Sequence, residues 1–228
     1  MLVSMHQPDY LPWCGYFNKI VTADAFIFFD TAHFSKEGFH ERNKIKTATG
    51  WAYLTIPMPH ESAFKPLKDA KLPIDTRWAN KHWRALISSY NRTPYFKEHA
   101  PYFEDLYANV GRFTTLADLN IDIITYLCQA FGIKTMFSRA SDYPFDSGLK
   151  STEAILAIIK QAGATEFLAG PSGKKYLNQP RFPEEGIKLI FQEYHEPEHT
   201  QRKQPFVAGL SAVDLLFNEG PQAINFLR

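Results

Sequence analysis

His6-Gln-Pro-Asp-Tyr-Leu-Pro-Trp-Cys-Gly-Tyr-Phe17, led by the apolar residues Leu2, Val3 and Met5 and followed by Ala25-Phe-Ile-Phe-Phe29-Asp30, decides how the chain folds. Residues 2–6 read as a short buried strand. Pro8 and Pro12 bar regular pairing after it, and Pro12 suits a helix's first turn. Trp13, Tyr16, Phe17 and Ile20 then recur at helical spacing over Trp13–Val21. Ala25–Phe29 is too continuously apolar for a one-sided strand and suits a central one buried on both faces. Strand, helix and strand make a right-handed βαβ unit. Its polar residues, His6 and Asp30 among them, fall just past the strand ends, where open α/β sheets bind ligands.

Outward from this unit, residues 31–50 are polar and mixed and read as a loop, ending in a Thr49-Gly50 turn before a strand over Trp51–Ile56. Residues 57–75, rich in proline and lysine, read as a connection. Helices are predicted over Arg77–Tyr90, capped by Asp75 or Thr76, from Pro94 to about Asn109, and over Asp118–Phe131, closed by Gly132. A strand over Ile133–Ser138 precedes a helix from Ser151 to Ala162, closed by Gly163. Thr165–Ala169 and Ile187–Phe191 are further strands, and Ser211 caps a last helix over Ala212–Phe217. The alternation predicts an α/β fold: a mostly parallel, Rossmann-like sheet with helices on both faces and an inserted helical layer at about 76–131. With no repeat or flexible linker in view, one α/β unit spanning 1–228 is expected.

The chain's 228 residues can bury a sizeable core, and 15% of them are aromatic, enough to line a cavity or interface as well as fill a core. Lys plus Arg, 25, nearly cancels Asp plus Glu, 24. That balance argues against nucleic-acid coating, which needs a basic excess. No apolar run approaches the ~20 residues of a membrane span. His6 and Pro8 interrupt any leader pattern, and Cys14 and Cys128 match no redox or metal spacing, so a cytoplasmic protein with reduced thiols is expected.

Five groups of residues can carry chemistry. His6, at a strand's carboxyl end, can act as a general base or bind a phosphate, or it can simply hydrogen-bond the turn. His33, Lys36, His40, Arg42, Asn43, Lys44 and Lys46 form a cationic cluster opposed by Glu37 and Glu41, suited to an anionic ligand or to a solvated loop. Gly170-Pro-Ser-Gly-Lys-Lys175 follows a strand and can offer N–H groups to a phosphate, although it lacks Walker spacing; a tight turn is the plainer reading. Lys81 and His82 are adjacent on a helix and point about 100° apart, so one can face a site and the other solvent. His195-Glu-Pro-Glu-His199 has ligand-type residues, but the proline between them favours a solvated loop. Cys14 beside Trp13 and Gly15 suits a small core residue better than a nucleophile.

Taken together, His6-Gln-Pro-Asp-Tyr-Leu-Pro-Trp-Cys-Gly-Tyr-Phe17, Phe34-Ser-Lys36, Arg42-Asn-Lys-Ile-Lys-Thr47, Lys81-His82, Tyr90, Pro94-Tyr-Phe96, Gly170-Pro-Ser-Gly173, Tyr176-Leu177 and Leu210 to Gly220 resemble the WbqC-like protein family along nearly the whole chain. His33, Glu37, Lys44 and Lys174 depart from that family's usual residues. The resemblance implies a place in bacterial surface-polysaccharide and O-antigen (lipopolysaccharide) biosynthesis, with acyl or aminoacyl transfer to a nucleotide-linked amino sugar. In that expectation His6 is the base and Lys36, Arg42, Asn43 and Lys46 hold the anionic group. Ser172, Gly173 and Lys174 form a second anion site, while Tyr10, Trp13 and Tyr16 stack on base or sugar. Gln7, Asp30, Lys81 and His82 complete the candidate set, with no metal ligands assigned and the cofactor left unknown. The βαβ start is also loosely similar to nucleotidyltransferase-type folds, yet Asp9 stands where a second histidine would follow His6. Two alternatives therefore stay open: a nucleoside-triphosphate-using enzyme, or a non-catalytic partner that binds a sugar nucleotide or another pathway enzyme.

Overall fold

The computed structural model describes residues 1–36, 38–146, 148–149, 151–202 and 205–228, so Glu37, which was expected to oppose the cationic cluster, lies outside the described residues. The main sheet is built from β1 (Leu2–His6), β2 (Ala25–Phe28), β5 (Met136–Arg139), β6 (Glu166–Ala169) and β7 (Lys188–Phe191). β3 (Arg42–Thr47) and β4 (Gly50–Thr55) form a separate antiparallel hairpin. All pairings in the main sheet are parallel, in the order β5-β2-β1-β6-β7. Counting only this sheet's strands, that is the 3-2-1-4-5 order of Rossmann-type sheets, with the reversal of direction between β1 and β6.

Alternation along the strands sorts the core. Val3, Met5 and Ile27 pack with Phe167 on the face covered by α5 (Ser151–Gln161) and by α6 (Arg181–Glu184), a short helix that was not expected. Phe26 and Phe28 face the opposite core, built with α1 (Cys14–Thr22), α2 (Arg77–Tyr90), α3 (Phe96–Ala108), α4 (Leu116–Ala130) and α7 (Val213–Glu219). Helices thus lie on both faces, as expected. Thr115 caps α4 by accepting from the Asp118 amide, and Gly132 (φ +72°) follows its end. Asp75 rather than Thr76 accepts from the first-turn amide of Arg77.

Three local expectations need correction. Residues 42–47, read as loop, are a strand: Asn43 and Ile45 are buried on one side, while the Arg42 and Lys44 head groups on the other lie over the rings of Tyr53 and Trp51 at 5.1 and 5.2 Å. Two of the cations that suggested a solvated loop, Arg42 and Lys44, are thus a strand's outer face, held by cross-strand aromatic contacts. The strand expected from Ile133 starts only at Met136, because the Ile133 amide is still occupied closing α4 onto Cys128 O. Pro12 lies before the Trp13 cap rather than in the first turn of α1. No helix among the described residues is long and apolar enough to cross a membrane.

Candidate functional site

The carboxyl ends of β1 and β6 open a crevice of about 320 Å³ at the reversal point of the sheet. His6, Gln7, Lys19, Phe29, Gly170 and Ser172 contribute to its lining, together with Ser151 and Ile155 from the start of α5 and Tyr176 beyond β6. Its place follows from topology, because the crossovers from β1 and β6 depart to opposite sides and leave the strand ends uncovered.

The loop from Gln7 to Pro12 is fixed from several distant elements. Asn120 Nδ2 donates to Pro8 O and to His40 O, both at 2.8 Å, from the buried face of α4. Asn43 Nδ2 donates to Leu11 O at 2.9 Å, Tyr16 Oη to Gln7 O at 3.0 Å, and the Ala212 amide to Pro12 O at 2.7 Å. These ties hold Leu11 at φ +44°, a left-handed conformation that costs an ordinary residue about 1–3 kcal/mol. Such a rigid frame is what a precisely positioned site requires.

His6 stands at the rim of this frame with 36% of its side chain exposed. Its Nδ1 lies 3.1 Å from Gln7 O, and since a carbonyl only accepts, Nδ1 carries the hydrogen and Nε2 keeps the lone pair. Tyr16 packs edge-on to the ring at 5.0 Å, and Asp9 Oδ2 lies 3.7 Å from Nδ1. Burial first and the neighbouring Lys19 charge second hold the imidazole well below its ordinary pKa, so it is neutral at pH 7.

Behind it lie Lys19 and Asp9, to which no binding role was assigned from sequence, and His40 of the expected cationic cluster. Lys19, in the last turn of α1, is buried at 3% exposure and donates from Nζ to Met5 O at 2.8 Å. Burial lowers its pKa to about 7, against the pull of Asp9. Asp9 is also buried, and burial raises its pKa to about 7, with Lys19 opposing and Glu41 adding to the rise. His40 reaches in from the loop before β3, its Nε2 4.0 Å from Asp9 Oδ1, and burial lowers its pKa to about 4. The sequence carries little signal for Lys19: it stands three positions after Tyr16 and next to Ile20 on an apolar helical stripe, but a lysine on a helix ordinarily marks the solvent side.

The remaining sequence candidates are dispersed. Tyr10 is fully buried, its hydroxyl 2.8 Å from His82 Nδ1 and 2.6 Å from the Tyr107 hydroxyl. His82 is buried and Lys81 exposed, the divergence expected of adjacent helical residues. Asp30 accepts from the Ser141 amide and hydroxyl at 3.0 and 2.7 Å, tying β2 to the turn after β5. Asn43 is the loop tether already described, and Lys46 is buried with Nζ donating to Pro205 O at 2.6 Å. Arg42 covers Tyr53, Lys36 is exposed, and Trp13 packs edge-on to Tyr194 at 6.1 Å. Gly173 packs under Leu177 and Ala169, and the Lys174 ammonium lies 5.4 Å from the Phe191 ring centre. Of the candidate set, His6, Gln7 and Ser172 line the crevice. A second hollow, larger at about 690 Å³ but more open, lies between the hairpin and α2 and takes Lys81, His82, Tyr53 and Trp78. The crevice is the better candidate because its buried ionisable groups converge on a strand-end opening.

The ends of the 195–199 segment separate: His195 is exposed, whereas His199 turns inward and its Nε2 lies 2.8 Å from Asp214 Oδ2.

Comparison with known proteins gives a relative, "Uncharacterized protein Rv1507c" of Mycobacterium tuberculosis (strain ATCC 25618 / H37Rv), 33% identical over 227 residues, covering 99% of this chain and 97% of the relative. No solved structure matches. A family model described as the WbqC-like protein family matches residues 7–226, from the residue after His6 through the last turn, and the chain belongs to that family.

Proposed function

We propose that the chain is a transferase that moves an acyl or aminoacyl group onto the amine of a nucleotide-linked sugar in bacterial surface-polysaccharide assembly. One observation carries this reading: the crevice lies at the reversal point of a Rossmann-order sheet and sets a neutral histidine beside a buried lysine. Such crevices favour nucleotides. In the reaction, the sugar amine attacks the donor's acyl carbon. The new C–N bond forms as the bond to the leaving group breaks, and the leaving group takes that electron pair. Nε2 of His6 removes the amine proton. An anionic group bound close by raises the affinity of the imidazole for that proton, countering the effect of burial. Tyr176 and Phe29 give the sugar apolar surface at the crevice wall.

Assays pairing UDP-linked amino sugars with coenzyme A thioesters should give an N-acylated product. His6→Ala should lower turnover by about 10²–10⁴-fold at unchanged melting temperature. Unchanged turnover would remove His6 from the chemistry. Nucleotidyl transfer is a second reading, favoured by His40, which brings to Asp9 an imidazole that the local sequence lacks. Magnesium-dependent pyrophosphate release from a nucleoside triphosphate, without thioester use, would favour it over the first.

A further inference from the structure

We infer that Lys19 is the anchor for the substrate's phosphoryl oxygens, and that the bare face of Gly170 is the seat they occupy. The inference rests on the reading of the crevice as a site for a nucleotide-linked substrate, and it names the residue that receives the charge. The cations expected to hold the anionic group do not line the crevice: Lys36 is exposed, Arg42 covers Tyr53 and Lys46 is bonded to Pro205.

Lys19 does line it. An ammonium has three donors, and one, to Met5 O, is committed to the protein. Among the described residues no carboxylate lies within ion-pair distance of its Nζ; Asp9 acts on it from farther away. A lysine this buried and this incompletely matched is costly to the fold. Side chains that burden the fold persist where a ligand supplies the missing partner.

Gly170 supplies the space. A Cβ built on it would lie 3.9 Å from Lys19 Nζ, so a side chain there would grow into the volume beside the ammonium. Its backbone, at φ −68° and ψ 162°, is one that any residue adopts. Backbone conformation therefore does not demand glycine here, and the absent side chain leaves a ligand room to approach the backbone closely. Ser172 and Ser151 add hydroxyl groups to the same lining, and His6 stands at its rim. Tetrahedral oxyanions linked as a diphosphate match an ammonium flanked by hydroxyls, and a cavity of about 320 Å³ has room for the diphosphate and part of its substituent.

The test is calorimetric titration of the full chain with inorganic pyrophosphate at pH 6.5, with acetate as the carboxylate control. The intact protein should bind pyrophosphate and not acetate. Lys19→Met should weaken pyrophosphate by about 10- to 100-fold, the loss of a charge-assisted hydrogen bond, while Lys19→Arg retains more of the binding. Gly170→Val should weaken it comparably with Lys19 untouched, and circular dichroism checks that each variant is folded. Absence of pyrophosphate binding, unchanged affinity in folded Lys19→Met, unchanged affinity in folded Gly170→Val, or binding of acetate in its place would each overturn the inference. Pyrophosphate binding that depends on Lys19, in a protein that acylates no sugar nucleotide, would uphold the anchor and reject the transferase reading.

Discussion

Among the described residues two histidine–carboxylate clusters, His199 with Asp214 and His6 and His40 with Asp9, differ in their surroundings. His199 Nε2 sits 2.8 Å from Asp214 Oδ2, with side-chain exposures of 2% and 1%. Phe206 and Phe226 close on the imidazole edge-on at 5.2 and 6.1 Å. The chain before α7 is bonded down around the pair: Gly209 N donates to Glu196, Ser211 N to Lys44 O, and Lys46 Nζ to Pro205 O. His6 and Asp9 are 3.7 Å apart, too far for a good hydrogen bond, and the imidazole opens onto the crevice. The first pair meets only protein and makes a tight internal contact. The second is held apart and shares its space with an incompletely matched lysine. Partner geometry, more than residue type, separates a histidine that pins the chain from one that opens onto a crevice.

The largest effect should come from breaking the sealed pair. Asp214→Ala removes the acceptor of His199 and a neighbour of the Tyr90 hydroxyl, in a site without solvent access. A loss of about 2–5 kcal/mol is expected from urea unfolding. Asp9→Asn should cost far less, because burial already raises the Asp9 pKa to about 7 and its contacts are long. Equal losses in the two variants would erase the distinction between sealed and open clusters.

Lys19 sharpens the comparison with the opposite sign. Lys19→Met should stabilise the fold by about 1–4 kcal/mol, since an apolar side chain replaces a buried charge. Its native pKa is lowered to about 7 from the usual lysine value near 10.5. The folded protein therefore releases this proton more readily than the unfolded chain, and the burial penalty is fully present below pH 7. As pH rises from about 7 towards 10.5 the penalty disappears, because the proton then also leaves the unfolded chain. The stability advantage of Lys19→Met over the native protein should accordingly be widest at pH 6 and shrink steadily by pH 10. A gap that stayed constant across this range would place the lysine in water rather than in the crevice.

The same contrast explains what the sequence disclosed. Continuous apolar runs such as Ala25–Phe29, glycine closures such as Gly132 and the strand-to-glycine step at Gly170 depend on near neighbours, and they indicated sheet, helices and crevice. His6 was legible for that reason, being the polar end of an apolar strand. Lys19 was not, because lysine on a helix ordinarily marks the solvent side, and only the approach of β1 and β6 turns this one inward. The cations of β3 misled in the opposite direction, as their partners Trp51 and Tyr53 lie across a hairpin whose register a composition reading does not supply. His40 beside Asp9 joins residues 31 positions apart through Asn120, on a helix farther along the chain. Local chemistry was readable; convergence from distant segments required the fold.

The smallest expected change concerns Cys14, which borders the sealed region beside Glu196. The thiol is 2% exposed, and burial first and the Glu196 carboxylate next push its pKa well above the ordinary value. Cys128, fully buried, is raised in the same way by burial alone. Because the thiolate is the reactive form, both groups should stay inert at pH 8 in the folded protein. Ellman's reagent should label neither over the time in which it labels both in urea, and its slow native reaction should follow global unfolding. Asp214→Ala should accelerate labelling by the same factor by which it raises the unfolded population. Rapid labelling of Cys14 in the intact protein would show that the segment before α7 opens on its own, making the apparently sealed cluster a second accessible site.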